Sequence, residues 1–230
     1  MNVRDVELVV TADEAEAAER VAEVLAEAAR AGAEIALTGG STPARAYERA
    51  AALEPDWSRA GVWWGDERCV PPDDEKSNFG LAKKTLLDRL ARPPARVHRI
   101  HGEDVPQRAA AEYERELRAV TLDVVLLGLG PDGHVASLFP RSPGLDEVER
   151  LVIASEPKLE PFVERVTLTP EPLRAGASVV FLVTGESKAD AVAKALAGPP
   201  THDVPGSLIR STRGRTLAVV DAAAAARLRD

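Results

Sequence analysis

The chain has 230 residues and a formal net charge of −8 at pH 7. A surface field of this sign repels nucleic acid and anionic membranes, so we expect neither as a partner, and an anionic small molecule would need a local cationic pocket. The single cysteine, Cys69, cannot form an internal disulfide, and we expect it to be a packing residue. The sequence has no charged-then-apolar leader and no apolar run of about 18 residues. These features predict one soluble, cytoplasmic domain over residues 1–230.

Short, β-rich apolar runs alternate along the chain with segments rich in Ala, Leu, Glu, Lys and Arg. The apolar runs predict buried strands over 6–11, 34–38, 62–64, 96–100, 122–127, 151–154, 165–168, 179–184 and 217–221. The other segments predict helices over 13–31, 43–53, 77–90, 106–119, 187–196 and 222–228. This alternation predicts an α/β fold with a mostly parallel, twisted sheet covered by helices on both faces. Ligands bind such sheets at the carboxyl ends of the strands.

The second predicted strand runs into the loop Gly39, Gly40, Ser41 and Thr42, which Pro43 follows. We expect Ser41 or Thr42 to cap the next helix and Pro43 to occupy its first turn. Such a loop is suited to hold a phosphate on backbone amides, although an ordinary capped turn is the alternative. It lacks the Gly-Lys-Ser/Thr ending of a Walker A loop, and proline replaces the last glycine of a nucleophile elbow.

The third predicted strand is followed by Asp66, Glu67 and Arg68, and Asn78 comes shortly after. A charged triplet is usually solvated surface. Here the triplet follows two tryptophans and a glycine at a strand end, where a ligand site is expected. We therefore predict that the two carboxylates and the guanidinium lie together at this edge of the sheet and serve a functional site, with Asn78 near the substrate.

Three glycines after the strand 122–127, Gly128, Gly130 and Gly133, match the G-x-G-x-x-G pattern of dinucleotide-binding sites. A dinucleotide site needs a full helix that begins at the third glycine. Only six residues separate Gly133 from Pro140, which is too short for a crossover helix. We therefore expect no NAD.

His134 is the strongest candidate for a catalytic base, because it stands in a polar loop directly after a buried strand. Asp132 lies two residues before it, so an extended loop could turn both side chains the same way and let the carboxylate hold the imidazole. His98, His101 and His202 are weaker candidates. The chain has no H-E-x-x-H motif and no clustered Cys/His spacing, so we expect no metal.

Arg165 and Lys188 are the candidate cations for an anionic ligand. Arg165 begins a predicted strand, and Lys188 begins a helical segment after the strand 179–184. Taken singly, either could be a surface charge. Together they could hold a phosphate, with Arg165 as a bidentate donor and Lys188 as a point charge.

Five segments, taken together and in order, resemble the 6-phosphogluconolactonase family, and they span nearly the whole chain: 37–43, 64–68, 77–80, 128–140 and 165–169. The related glucosamine-6-phosphate deaminases share the Gly-Ser-Thr-Pro loop and the Pro-Asp-Gly-His sequence. They typically have Asp-Glu-Tyr and a His-Ile-Ala-Phe-Asn-Glu-Pro continuation. Arg68 and the Ala-Ser-Leu-Phe-Pro sequence at 136–140 favour the lactonase, although Arg141 stands where the family often has glycine.

The resemblance implies a Rossmann-like fold of the NagB/RpiA type. It also implies hydrolysis of 6-phospho-D-glucono-1,5-lactone to 6-phosphogluconate in the oxidative pentose phosphate pathway, without a cofactor. His134 would activate water and then protonate the ring oxygen. Arg68 and the amides of the glycine loops would stabilise the oxyanion. The phosphate would lie among the amides of 40–42, Arg165 and Lys188.

Two other functions remain open at this stage. A phosphosugar deaminase or isomerase would need Asp66 as a base that abstracts a proton from carbon. A non-catalytic sugar-phosphate sensor would bind the same ligand without turnover. Regulators of that kind carry a DNA-binding helix-turn-helix segment before the sugar domain, whereas the first predicted strand here begins at Val6.

Overall fold

The computed structural model describes residues 2–3, 5–158 and 162–228. Its strands are β1 (Asn2–Val3), β2 (Val6–Thr11), β3 (Glu34–Leu37), β4 (Gly61–Trp64), β5 (Asp66–Arg68), β6 (Arg96–Val97), β7 (Val124–Leu127), β8 (Val152–Ser155), β9 (Arg165–Leu168), β10 (Ser178–Val183) and β11 (Arg215–Asp221). Its α-helices are α1 (Glu14–Ala31), α2 (Ser41–Leu53), α3 (Asn78–Thr85), α4 (Pro106–Leu117), α5 (Pro170–Arg174) and α6 (Ala189–Val192). Short 3-10 turns span Leu87–Arg89, Pro143–Asp146, Glu186–Lys188 and Pro205–Ser207, and a π-helical turn spans Ala193–Ala197.

Eight strands form the main sheet, in the order β1-β2-β11-β10-β7-β3-β4-β6. Every neighbouring pair from β2 to β6 is parallel, and only β1 pairs with β2 in the antiparallel sense. A second, small sheet has the order β5-β9-β8 and is antiparallel throughout. The predicted mostly parallel α/β fold is therefore confirmed. The small sheet is an addition that the strand–helix alternation did not predict.

The main sheet is covered by helices on both faces. Every residue of β4 and β7 is buried, and so is every residue of β3 except Glu34, as in parallel strands with helices above and below. Helices α1 and α2 pack against each other. The right-handed rule for parallel crossovers places α1 and α2 on one face and α4 and α6 on the other, because the chain moves along the sheet in opposite directions in the two cases.

Helix α1 follows directly from local sequence signals. The Asp13 side chain accepts a hydrogen bond from the Glu16 backbone N–H at 2.9 Å and caps the first turn. Its alanine-rich inner face is buried. Gly32 ends the helix in a left-handed conformation with φ 78°, which a residue with a Cβ atom rarely adopts.

Some predicted helices and strands are broken or shortened in the structure. The predicted helix 77–90 is α3 followed by a 3-10 turn, and the predicted helix 187–196 is divided among three short helical turns. The predicted strand 96–100 is shortened to Arg96 and Val97, which pair with Gly61 and Val62 of β4.

The predicted helix 222–228 is wrong, since this segment forms a series of turns. The Asp221 side chain accepts hydrogen bonds from the N–H groups of Ala224 and Gly185, which ties the segment to the loop after β10. Within the described part of the chain, no helix has the length and apolar character needed to cross a membrane.

Candidate active site

A cleft with a volume of about 250 Å³ opens at the carboxyl ends of the central strands of the main sheet. The small sheet forms part of its wall. Ten of the eleven site residues predicted from the sequence line this cleft: Gly39, Gly40, Ser41, Thr42, Asp66, Arg68, Asn78, His134, Arg165 and Lys188. The eleventh, Asp132, lies behind His134 and contacts its ring.

The glycine loop leads into helix α2, which begins at Ser41. Its cap position is Gly40, with φ 113°, and no side chain caps the helix. The expectation that Ser41 or Thr42 caps the helix is therefore wrong, because glycine occupies the cap position in a conformation that other residues avoid. A helix N-terminus without a side-chain acceptor presents backbone N–H groups to an anion.

A hydroxyl contact joins this helix start to the loop that carries Lys188. Thr42 Oγ1 lies 3.0 Å from Thr184 Oγ1. Lys188 is the last residue of the 3-10 turn Glu186–Lys188 and is half-buried at the cleft. Burial lowers the pKa of Lys188, and the nearby charge of Asp132 partly offsets this effect. The structure thus brings a cation to the same side of the cleft as the uncapped helix.

The His134–Asp132 contact has the geometry of a base held by a carboxylate. His134 Nδ1 lies 2.6 Å from Asp132 Oδ1, and the His134 backbone N–H donates to the same oxygen at 3.2 Å. Burial raises the pKa of Asp132, but the hydrogen bond and charge of His134 outweigh it, so the pKa lies below its ordinary value. Because Nδ1 is engaged, Nε2 is the ring nitrogen that can accept a proton from a ligand.

Glycine is required beside this histidine. A Cβ atom at Gly130 would lie 2.0 Å from His134 Nδ1. Gly133 has φ 86°, in the left-handed region. The glycines that suggested a dinucleotide fingerprint therefore make room for the imidazole and its turn. No helix begins at Gly133 in the described stretch 128–142, and the next helical turn is Pro143–Asp146.

The side chain of Asp66 lies in the cleft, whereas that of Glu67 lies at the start of helix α3. The prediction that both carboxylates lie at the cleft edge is therefore wrong for Glu67. The reason is that 66–68 is itself a strand, in which successive side chains alternate. Asp66 lines the cleft and accepts from Ser137 Oγ at 2.6 Å and from Asn78 Nδ2 at 3.2 Å.

Glu67 instead caps helix α3. Its carboxylate accepts hydrogen bonds from the backbone N–H groups of Arg68, Asn78 and Phe79 at 2.7 to 2.8 Å, and from Ser77 Oγ at 3.0 Å. Burial nevertheless raises the pKa of Glu67 above its ordinary value. Its role in the structure is to fix the start of the helix that carries Asn78.

Arg68 and Arg165 are paired across the small sheet, in the β5–β9 register. Arg165 stands at the first residue of β9, so the small sheet brings it to the cleft although it is not at a carboxyl end. Its guanidinium lies 5.6 Å from the centre of the Phe139 ring. Burial and the charge of Arg68 lower the pKa of Arg165, while Asp66 raises it. The charge of Asp66 therefore offsets part of the cost of burying Arg165.

Two tyrosines that the sequence did not single out hold the strand ends beneath the cleft. The Tyr47 hydroxyl accepts from the Thr38 N–H at 2.9 Å and donates to the Thr38 carbonyl at 2.6 Å. Tyr113 makes the same pair of hydrogen bonds with Trp64, at 2.8 and 3.0 Å. Both rings are fully buried, and burial raises the pKa of each hydroxyl. In the sequence they look like ordinary core aromatic residues.

Among the described residues, no cluster of three or more His, Cys, Asp or Glu side chains is arranged to hold a metal ion. Cys69 is half-buried and lies near Glu164 and Glu67. Burial and these charges raise the pKa of its thiol to about 11, which agrees with a packing role.

Comparison with known proteins identifies the family. A model of the glucosamine-6-phosphate isomerases/6-phosphogluconolactonase family matches residues 10–218. The 6-phosphogluconolactonase of Streptomyces coelicolor is 40% identical over 246 residues, covering 98% of this chain and 92% of the relative. That of Haemophilus influenzae is 37% identical and covers 83% of this chain and 85% of the relative.

Solved structures give the same result. The 6-phosphogluconolactonase from Trypanosoma cruzi superposes with a TM-score of 0.87 at 28% identity, covering 99% of this chain and 98% of that one. A monomeric glucosamine-6-phosphate deaminase has a TM-score of 0.84 at 20% identity, covers 96% of this chain and 100% of its own, and shows the shared fold alone. The chain belongs to the glucosamine-6-phosphate isomerase/6-phosphogluconolactonase family.

Proposed function

We propose that this protein is a 6-phosphogluconolactonase that hydrolyses 6-phospho-D-glucono-1,5-lactone to 6-phosphogluconate in the oxidative pentose phosphate pathway. The observation that carries the proposal is the His134–Asp132 contact of 2.6 Å in a cleft that also holds Lys188 and the uncapped start of α2. A base and an anion site in one cleft suit a phosphorylated, hydrolysable substrate. The names of the relatives at 37% and 40% identity support it.

His134 is the general base and then the general acid. Its Nε2 takes a proton from water as the water oxygen attacks the lactone carbonyl carbon, which forms a tetrahedral intermediate. When the intermediate collapses, the bond between the carbonyl carbon and the ring oxygen breaks. The imidazolium gives its proton to that oxygen, which becomes a hydroxyl, and the new carboxylic acid releases a proton to solvent. Asp132 stabilises the imidazolium between the two steps.

Other polar and charged groups of the cleft stabilise the intermediate and bind the sugar and the phosphate. Arg68 and the glycine-loop amides stabilise the oxyanion of the intermediate. Asp66 accepts hydrogen bonds from the sugar hydroxyls, and Asn78 donates hydrogen bonds to them or accepts hydrogen bonds from them. Lys188 and Arg165 bind the phosphate together with the loop that contains Gly39, Gly40, Ser41 and Thr42. The reaction is a hydrolysis, so it transfers no electrons and requires no redox cofactor.

Deamination or isomerisation of an amino-sugar phosphate is the alternative for this fold. That chemistry would need Asp66 to take a proton from carbon. Both oxygens of the Asp66 carboxylate already accept side-chain hydrogen bonds, from Ser137 and Asn78, which reduces their availability as a base. This geometry favours the lactonase.

The test is a direct assay of the purified protein with 6-phosphogluconolactone, with acid release at near-neutral pH as the readout and the spontaneous hydrolysis rate subtracted. Glucosamine 6-phosphate is offered in parallel, with ammonia release as the readout. We expect acid release well above the spontaneous rate and no ammonia. Ammonia release without acceleration of lactone hydrolysis would replace this function with the deaminase.

We also propose that residues 1–230 act as one catalytic unit in the cytoplasm, with a small-molecule substrate and without nucleic acid. The cleft supports one unit, because both sheets line it. The net charge of −8 supports a small-molecule substrate over nucleic acid.

A further inference from the structure

Ser137 stands three residues after His134 and is fully buried. Its three polar groups each make a hydrogen bond. The side-chain Oγ donates to Asp66 Oδ2 at 2.6 Å, the backbone N–H donates to Thr167 Oγ1 at 3.1 Å, and the carbonyl accepts from Ser155 Oγ at 2.8 Å. These three partners lie on β5, β9 and β8 respectively. One residue thus joins the histidine loop to every strand of the small sheet.

The backbone just before Ser137 is strained. Ala136 lines the cleft and has φ 48°, in the left-handed region that a residue with a Cβ atom rarely enters. Such a conformation persists only where surrounding contacts hold it. The hydrogen bonds of the Ser137 N–H and side chain are the contacts next to it in the chain, so they hold the turn between His134 and the small sheet.

The bond from Ser137 is the shorter of the two side-chain hydrogen bonds to the Asp66 carboxylate, at 2.6 Å against 3.2 Å from Asn78. A hydrogen bond to an ionised carboxylate is among the stronger kinds in proteins. The Asp66 charge also favours the charged form of Arg165. Rotation of the Asp66 side chain would therefore move a negative charge that acts on Arg165 in the cleft.

We propose that Ser137 is a positioning residue of the reaction, which holds the Asp66 carboxylate in the orientation that faces the cleft and the charge of Arg165. Ser137 touches neither substrate nor water in this role and acts through Asp66. The proposal rests on the lactonase function proposed above.

A double-mutant cycle in kcat/KM tests this role, using wild type, Ser137→Ala, Asp66→Asn and the double variant. We expect Ser137→Ala to lower kcat/KM for the phosphorylated lactone by roughly 10- to 100-fold, as for loss of a charge-assisted hydrogen bond. In the Asp66→Asn background, the same change should cost less than about threefold, because the group through which it acts is already altered.

The matched control is Ser155→Ala, which removes the hydrogen bond to the Ser137 carbonyl but leaves the bond to Asp66 in place. It should keep kcat and KM near the wild-type values even if it lowers the melting temperature. If Ser137→Ala fails to fold, Ser137→Cys keeps the packing with a weaker donor, and its smaller loss should also vanish in the Asp66→Asn background.

Equal losses in both backgrounds, or no loss from Ser137→Ala in the folded protein, would overturn the proposed role. A loss of the same size from Ser155→Ala would also overturn it, since that result marks a general effect on the fold. Wild-type protein without lactonase activity would overturn the proposed function itself, and this measurement is made first.

Discussion

The main sheet and the small sheet both supply residues to the cleft, but they position them differently. The main sheet places His134 and Lys188 on loops after strand ends, each beside the single carboxylate Asp132. The small sheet places its charges within paired strands, where Arg68 faces Arg165 in the register. Groups on loop ends should therefore be replaceable at little cost to stability. Within the small sheet, Arg165 is buried and its charge interacts with that of Asp66, so its removal should affect both activity and the fold.

Substitution of His134, which lies on a loop of the main sheet, should change activity more than any other substitution and leave stability nearly unchanged. His134→Asn should lower kcat by roughly 10²- to 10⁴-fold, because it removes the general base and keeps the binding groups. The melting temperature should stay near the wild-type value. His98→Asn is the control, because its ring stacks on Trp63 at 3.8 Å and does not line the cleft. This control should lower the melting temperature and keep kcat, and near-normal turnover of folded His134→Asn would refute the mechanism.

Substitutions of Arg165 and Lys188, the two residues proposed to bind the phosphate, should differ in their effect on stability. Arg165→Met removes the cation that lies over the Phe139 ring and the positive charge that interacts with the buried Asp66 carboxylate, so it should lower the melting temperature by a few degrees. Lys188→Met should not lower it at pH 7. Thermal unfolding of both variants decides this. Equal destabilisation would remove the distinction between the sheets.

The direction of the stability change in Lys188→Met follows from the lowered pKa of Lys188. Burial disfavours the charged ammonium, so the folded protein binds this proton less tightly than the unfolded chain. This unfavourable contribution to stability is present below the folded pKa and disappears above lysine's ordinary value of 10.5. Any stability gained in Lys188→Met at pH 7 should therefore shrink as the pH rises toward that value.

A smaller effect concerns the pH dependence of binding. As the pH rises, wild-type affinity for 6-phosphogluconate should weaken as Lys188 loses its proton, and this should begin below lysine's ordinary value of 10.5. Lys188→Arg should bind evenly over the same range, because arginine stays charged. Isothermal titration calorimetry between about pH 7 and 10 measures both proteins. If the affinities of the two proteins fall in parallel as the pH rises, the titrating group is not Lys188.

The smallest effect concerns Cys69 at the end of the small sheet. Its thiol pKa of about 11 predicts slow alkylation at pH 8 and a steep rise in rate as the pH approaches that value. Mass spectrometry after timed treatment with iodoacetamide measures the rate, with a free thiol such as glutathione as the reference. Labelling of the native protein as fast as glutathione at pH 8 would contradict the buried, anionic surroundings of Cys69.

The sequence predicted which main-sheet residues lie at the cleft, because the carboxyl ends of parallel strands follow from local strand–helix alternation. His134 and the glycine loop both come directly after such ends. The small sheet was harder to predict, because its pairs join residues far apart in the chain, such as Asp66 with Thr167. Without that pairing, residues 66–68 cannot be recognised as a strand, so the separate roles of Asp66 and Glu67 cannot be predicted.

The central claim is that the phosphate anchors the lactone carbonyl beside His134. It is tested most directly by kcat/KM of wild type, Lys188→Ala and Arg165→Ala on phosphorylated and unphosphorylated gluconolactone. The phosphate does not react, so its binding energy appears as rate. Each substitution should cost roughly 10- to 100-fold on the phosphorylated lactone and little on the slower, unphosphorylated one. Equal losses on both substrates would contradict the claim and show that neither cation binds the phosphate.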